Sequence, residues 1–362
     1  MATQVATLES AIPFASVSSW KSRTLAVVLL LCIGGYFWAG SRYPALYKKY
    51  SQGSSVKVTG AITFGAVYAV DRSMPMQQRV WRTTVNWLQA NEIGMTFGFF
   101  FGAAALTFLA MLPKQRTRNR YLNALIGAAT GAPLGVCANC VVPIARGLYA
   151  SGMSTESVLA AMFSSPSLNV IVLAMALALF PLPVVGLKMA TVVLLIFVVA
   201  PMVGARQVQT AAISSSISVP PFETWGRAFR STAASFVKSF WYVFRIGAPL
   251  MVLAALLGAL VIELLPQNAL IAHVSLTGII LVALIGAFVP VPMAFDVVIA
   301  YLAMTRGVPL PYVVTLLCTL GIYSVYSFLV VGKTISWKLA VAVYGAVAFL
   351  GVLAGLATGL LR

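Results

Sequence analysis

The chain has 362 residues, of which 60% are hydrophobic and only 9% charged, with a mean hydropathy of +0.96. A water-soluble fold of that length cannot hide so much apolar side chain and still cover itself with polar groups, so the composition specifies a polytopic membrane protein. The formal charge of +17 points to no nucleic-acid partner, because the Lys and Arg residues fall mostly between apolar runs, where they orient a chain in a bilayer.

Residues 1–23 form a polar tail, expected to be cytoplasmic. The apolar run 24–40 that follows has no small-x-small cleavage site after it and reads as a retained signal-anchor helix. Residues 41–92 read as a basic extramembrane segment carrying Arg42, Lys48, Lys49, Lys57, Arg72, Arg79 and Arg82. Their side is left open by charge, since a segment this long escapes the bias unless 58–70 dips into the membrane. Apolar spans then run at 93–112, 121–151, 157–180, 183–204, 240–265, 270–291, 293–305, 309–332 and 338–361. They divide into a first repeat, 93–204, and a second, 240–362, joined by a cytoplasmic linker at 205–239.

Two basic stretches fix the count of crossings. The loop with Lys114, Arg116, Arg118 and Arg120, and the linker with Arg206, Arg227, Arg230 and Lys238, should both be cytoplasmic. The chain between them must cross an even number of times. Spans 157–180 and 183–204, joined at Pro181 and Pro183, supply two crossings. Span 121–151 must therefore enter and return on one side, and its centre is GAPLGVCANCVVP, broken by Pro133, Gly135 and Pro143. The same count makes 274–307 a second hairpin, entered from the other side and broken at Pro290 and Pro292. Laid without gaps on the first, it brings Gly131 onto Gly286, Val136 onto Val291, Ile144 onto Ile299 and Gly152 onto Gly307. The expectation is an all-α membrane protein of inverted repeats with two discontinuous, re-entrant hairpins.

A helix that stops within the bilayer leaves unpaired backbone groups, tolerated only where protein or a wet cavity supplies partners, so the breaks are where polar chemistry is expected. Cys137 and Cys140, three apart, offer soft sulfur to a thiophilic metal or metalloid. The same spacing is a redox signature, and equally a pair of small residues at a tight helix contact. Asn139 stands between them. SSPSLN at 164–169 adds Ser164, Ser165 and Asn169 around Pro166, as a second wall of that site or as groups that repair the proline break. Asp296, in the second hairpin, is an intramembrane carboxylate and the candidate for ion or proton coupling; its structural alternative is an ion pair with Arg146, Arg245 or Arg306. Cys32 and Cys318 read as buried hydrophobes, Glu263 as interfacial, His273 as solvated, and Glu92 and Glu156 as helix-start residues. Glycines at 94/98/102, 127/131/135 and 351/355/359 form small-residue faces for helix packing or for contact with a second copy or another membrane protein. No phosphate loop, ATPase domain or histidine cluster is present, and no cofactor is expected.

With those residues in place, PLGVCANCVVP (133–143), the following ARGLYASGMS and the MFSSPSLN stretch resemble the predicted-permease family that includes the organoarsenical efflux permeases. Cys137 and Pro143 match its cysteine-proline motif, while the second cysteine stands one residue later than in the family, a turn of about 100° on a helix. The resemblance implies an inverted-repeat permease of the bacterial inner membrane and, in one branch, export of trivalent arsenic species. The resulting expectation is a secondary-transporter-like permease for a small, thiophilic solute. Other classes are a membrane thiol oxidoreductase using Cys137 and Cys140, or a transport-inactive subunit of a larger complex.

Overall fold

The computed structural model describes residues 19–52, 67–71, 73–112, 119–204, 224–264 and 274–361. The tail at 1–18, the basic residues at 113–118, the linker at 205–223, residues 53–66 and the loop with His273 lie outside the described residues. All regular structure among the described residues is helical.

Helix α1 (Trp20–Phe37) is capped by Ser19, whose hydroxyl accepts from the Ser22 N–H, and passes through a π-helical turn (Trp38–Arg42) into α2 (Tyr43–Gln52). Next come α3 (Met76–Leu109), α4 (Arg120–Gly131) and α5 (Val141–Ala150). The first half ends with α6 (Thr155–Ser167), α7 (Val170–Leu179), α8 (Leu182–Leu194), a π-helical turn (Leu195–Val199) and α9 (Ala200–Gly204). The second half runs α10 (Trp225–Leu264), α11 (Leu276–Phe288), α12 (Phe295–Thr305), α13 (Leu310–Thr319), α14 (Val325–Thr334) and α15 (Trp337–Ala357). Each half thus repeats one succession: a long helix, two pairs of short helices, and a closing long helix.

Contacts fix the directions. Thr107 hydrogen-bonds Ser239 at 3.0 Å, the Phe99 ring meets that of Phe244 at 5.2 Å, and Arg79 pairs with Glu263 at 2.8 Å, so α3 and α10 are antiparallel. The end of α3 and the start of α10 therefore share one face of the molecule, the basic end, where Arg120, Arg227 and Arg230 are exposed. Gly94, Gly98 and Gly102 of α3 face Cys140, Pro143 and Ile144 in turn, so α5 runs parallel to α3, back to the basic end from which α4 entered. Segment 121–151 thus folds back on itself and starts and ends at the basic end, the hairpin expected from its central break and consistent with an even crossing count. Gly127 and Gly131 lie against Ser157 and Ala161, which sends α6 outward beside α4, and Gly204 returns to Glu156 at the basic end. In the second half Gly278 and Gly286 lie against Tyr312 and Thr319, setting α13 parallel to α11, while Gly351 and Gly355 face Thr319 and Thr315, turning α15 the other way.

Spans 157–180 and 309–332, expected as unbroken crossings, are each interrupted. In the first, Pro166 removes a backbone donor near the end of α6, and Asn169 caps a new helix through the Ile171 N–H, with a bend of 47° between α6 and α7. In the second, Gly321 at φ +74° and Ser324, whose hydroxyl caps α14, separate α13 from α14. Three other expectations are corrected. The long helices begin at Met76 and Trp225, before the apolar runs at 93 and 240, because hydropathy marks the apolar part of a helix and not its polar turns. Glu92 consequently sits inside α3, not at a helix start, and Cys32 is exposed. Among the described residues, five helices are long and apolar enough to cross a membrane, or six if α6 and α7 count as one bent span.

Most glycines of the three small-residue faces, though not Gly135 or Gly359, lie in tight contacts between helices of the chain itself. A Cβ on Gly102 would approach Pro143 O to 2.7 Å and Ile144 Cα to 3.0 Å, whereas at Gly345 nothing lies within 4 Å. Gly102→Val should therefore cost about 1–3 kcal/mol of stability, read as a lowered Tm in detergent, with Gly345→Val unchanged; equal melting of the two variants would contradict the helix contact.

Candidate functional site

The four helix breaks meet at one place, held by side chains that satisfy the interrupted backbone. Gly135, at φ +58°, ends the short turn after α4, and the chain then runs without helix to Cys140. Asn139 is fully buried there. Its Nδ2 donates to Val291 O in the second hairpin at 3.0 Å, and its Oδ1 accepts from the Ser324 hydroxyl, between α13 and α14, at 2.8 Å. The Ser327 hydroxyl donates to Ala138 O at 3.2 Å, and the Ser165 hydroxyl lies 3.4 Å from Val136 O and accepts from the Val136 N–H at 3.4 Å. Trp87 Nε1 donates to Pro290 O at 2.8 Å, and Trp38 Nε1 to Pro133 O at 3.0 Å. Those five backbone carbonyls sit beside prolines or within the breaks, where no helix partner reaches them.

Between the breaks is a cavity of about 10 Å³ lined by Cys137, Pro166, Pro292, Met293, Asp296 and Gly321, among others. That is room for about one water molecule. Cys137 lines it, and its thiol is 3.6 Å from Asn91 Oδ1 while its sulfur accepts from the Cys140 N–H at 3.2 Å. Cys140 packs instead against Gly94. Both are free thiols. Asn169 reaches the second hairpin through Met293, with Nδ2 3.0 Å from the sulfur. Ser164 bonds back to Ala161 O at 3.3 Å and faces Gly131, so its hydroxyl serves the α4–α6 contact. Pro143 packs on Gly98, away from the cavity. Among the described residues no three or more His, Cys, Asp or Glu side chains gather as a metal site.

Asp296 is buried in the first turn of α12, where the helix dipole favours a carboxylate. Its partner is none of the three expected arginines. Lys188 of α8 reaches it at 2.6 Å, with both side chains almost wholly buried, and also donates to Leu317 O at 2.9 Å in the last turn of α13. The ammonium thus lies where a helix C-terminus attracts positive charge. Lys188 was legible as the lone cation in the apolar run 183–204, a residue type that needs an internal partner at that depth. Gly321 completes the nest, since a Cβ there would come within 3.1 Å of Asp296 Cβ and Cγ. Just before α12, Ala294 adopts φ +65°, a left-handed conformation that costs a non-glycine residue about 1–2 kcal/mol.

A family model described as predicted permease matches residues 87–360, most of the chain and every break. The chain belongs to this predicted-permease family. The UPF0718 protein YraQ of Escherichia coli (strain K12) is 24% identical over 246 residues, covering 66% of this chain and 68% of that relative. No solved structure matches. The permease is thus a multi-pass membrane protein of transporter-like class, and α1 with its π-helical turn lies before the matched region.

The buried pair gives a direct test. Lys188→Met leaves Asp296 without its counter-charge and should lower the permease's stability by about 3–5 kcal/mol, read as loss of folded protein in thermal unfolding. Adding Asp296→Leu should recover most of that loss. A single variant as stable as the parent would show that the pair does not hold α8 to α12 and α13. At the centre, Asn139→Leu orphans Val291 O and the Ser324 hydroxyl and should cost about 1–3 kcal/mol for each group, with Asn139→Gln intermediate on the same melt.

Proposed function

We propose that the permease is a secondary-transporter-like carrier that moves a small, thiophilic solute, such as a soft metal or metalloid species, across the bacterial inner membrane by alternating access. Its two halves act as inverted repeats, each supplying one re-entrant hairpin and one broken span. The observation that carries this reading is the convergence of all four breaks on the cavity beside Cys137. Interrupted helices meeting at the interface of two repeats are a recurring device for binding a solute at depth. The antiparallel setting of α3 and α10 supports the inversion, and the motif's resemblance to organoarsenical efflux permeases supports a soft solute.

In this reading Cys137, with Asn139, Ser165 and Asn169 around it, recognises the solute, and Cys140 and Ser164 support the wall from behind. Cys137 and Cys140 together would hold a soft ion only if the break re-forms to bring both sulfurs inward. The bonds from Asn139 cross from the first half to the second, so they are the bonds that must exchange when the halves move. Asp296 is the coupling group. Protonation of its carboxylate would release Lys188 and free α8 from α12 and α13, linking a proton to the movement of the halves.

Flux into proteoliposomes, measured over a panel of metalloids, soft metals and small sulfur species, tests the reading. Cys137→Ser should reduce transport of the active solute about ten-fold or more, and Asp296→Asn should abolish its dependence on a proton gradient. Undiminished transport in both variants would remove the site proposed here.

A further inference from the structure

Five buried side chains among the described residues carry charge: Arg42, Arg146, Glu156, Lys188 and Asp296. Lys188 and Asp296 neutralise each other. Glu156 lies in the first turn of α6, against Gly204 at the basic end. The two guanidiniums remain. Neither has a carboxylate within ion-pair distance among the described residues.

Arg146 is 4% exposed and is held by neutral groups: Nε donates to Tyr242 O at 3.3 Å, one terminal nitrogen donates to Thr334 Oγ1 at 2.8 Å, and the plane sits 4.3 Å from the Tyr242 ring centre. It borders a second cavity of about 10 Å³ between α5 and α14, with Val142, Tyr149, Met162 and Thr334 also in the lining. Along α5 it stands about 9 Å past Cys140, toward the basic end. Arg42 is 8% exposed, and its Nε has no hydrogen-bond partner. Among the described residues its one bond is to the Ser41 hydroxyl at 3.3 Å, and it stacks 4.4 Å from the Phe37 ring centre. It lies over the first break, where a Cβ on Gly135 would meet its Cδ at 3.9 Å and the Asn169 amide at 3.8 Å. The Trp38 bond to Pro133 O fixes α1 against that break.

Burying a full charge without a counter-charge costs several kcal/mol, and neutral acceptors do not cancel it. Two such charges, one over the first break and one at a separate cavity further along α5, leave this half of the protein with a net positive field around Cys137. An anion would balance it. We propose that the permease's solute crosses as a small anion, with Arg146 and Arg42 as its two guanidinium contacts on either side of Cys137. Arg146 receives it at the basic-end cavity, and Arg42, supplied by a helix that precedes the family region, holds it at the break. The proposal rests on the permease reading and adds the charge of the solute to it.

The test uses the full chain in proteoliposomes at neutral pH, with thiosulfate and selenite as anionic probes, arsenite as a neutral acid and cadmium as a cation. Thiosulfate or selenite should be carried, with flux falling about ten-fold or more in Arg42→Gln and in Arg146→Gln and partly retained in the Lys variants. The same anions should raise the Tm of the unaltered protein and not that of Arg42→Gln, which keeps the test decisive if Arg146→Gln fails to fold. Carriage of arsenite or cadmium without either anion would overturn the anion assignment and leave the permease reading standing. Anion flux unchanged in both Gln variants would overturn the role of the two arginines. Flux of no probe, with no anion-dependent shift in Tm, would overturn this proposal and the permease reading together.

Discussion

A helix that stops inside a bilayer must find partners for backbone groups that water would otherwise satisfy, and in this protein the Asn139 side chain supplies the central answer. One amide serves a carbonyl in the second hairpin and a hydroxyl between α13 and α14. Trp87, Trp38, Ser165 and Ser327 serve the neighbouring carbonyls. Because an unsatisfied group in hydrocarbon costs several kcal/mol, these bonds decide that the four breaks collect at one point and are not scattered through the bundle. The cavity at Cys137 follows from that collection.

Around this polar centre the packing is made of small residues. Gly94, Gly98 and Gly102 let α5 lie directly on α3, and Gly127 and Gly131 do the same for α4 and α6. Close backbone approach is a main source of helix association where lipid is as apolar as leucine. The arrangement brings short half-helices near the centre without long side chains between them. It also leaves the charged groups few and individually placed. The Lys188–Asp296 pair spans the two halves and ties the polar centre to the surrounding helices.

The sequence made the breaks of both hairpins legible, because proline and glycine in an apolar run contradict a continuous span and the basic loops forced an even crossing count. Pro166 also marked a break within SSPSLN, though the span around it was counted as one crossing. The break at Leu320–Ser324 was not legible, since no proline stands near Gly321 to mark the stop. Asp296 was legible as a costly buried carboxylate, but none of the three arginines weighed as its partner pairs with it. Lys188 sits in another half of the chain, and only the fold brings it within 2.6 Å. The two cysteines were legible as a pair, whereas the backbone turn at 138–140 sends one sulfur to the cavity and the other to Gly94.

Composition, hydropathy and the distribution of positive charge by themselves determined a multi-pass helical membrane protein, its basic end, and two hairpins that enter and return. These follow from one-dimensional quantities, the length of an apolar run and the sign of the loop beside it, so one dimension suffices to read them. The tertiary structure decided which polar groups face one another: Asn139 with Val291 and Ser324, Lys188 with Asp296, Arg42 with the first break. Each joins residues about a hundred or more positions apart. Hydrogen bonds and ion pairs act over a few ångströms, and no sequence pattern states which distant residues will come that close.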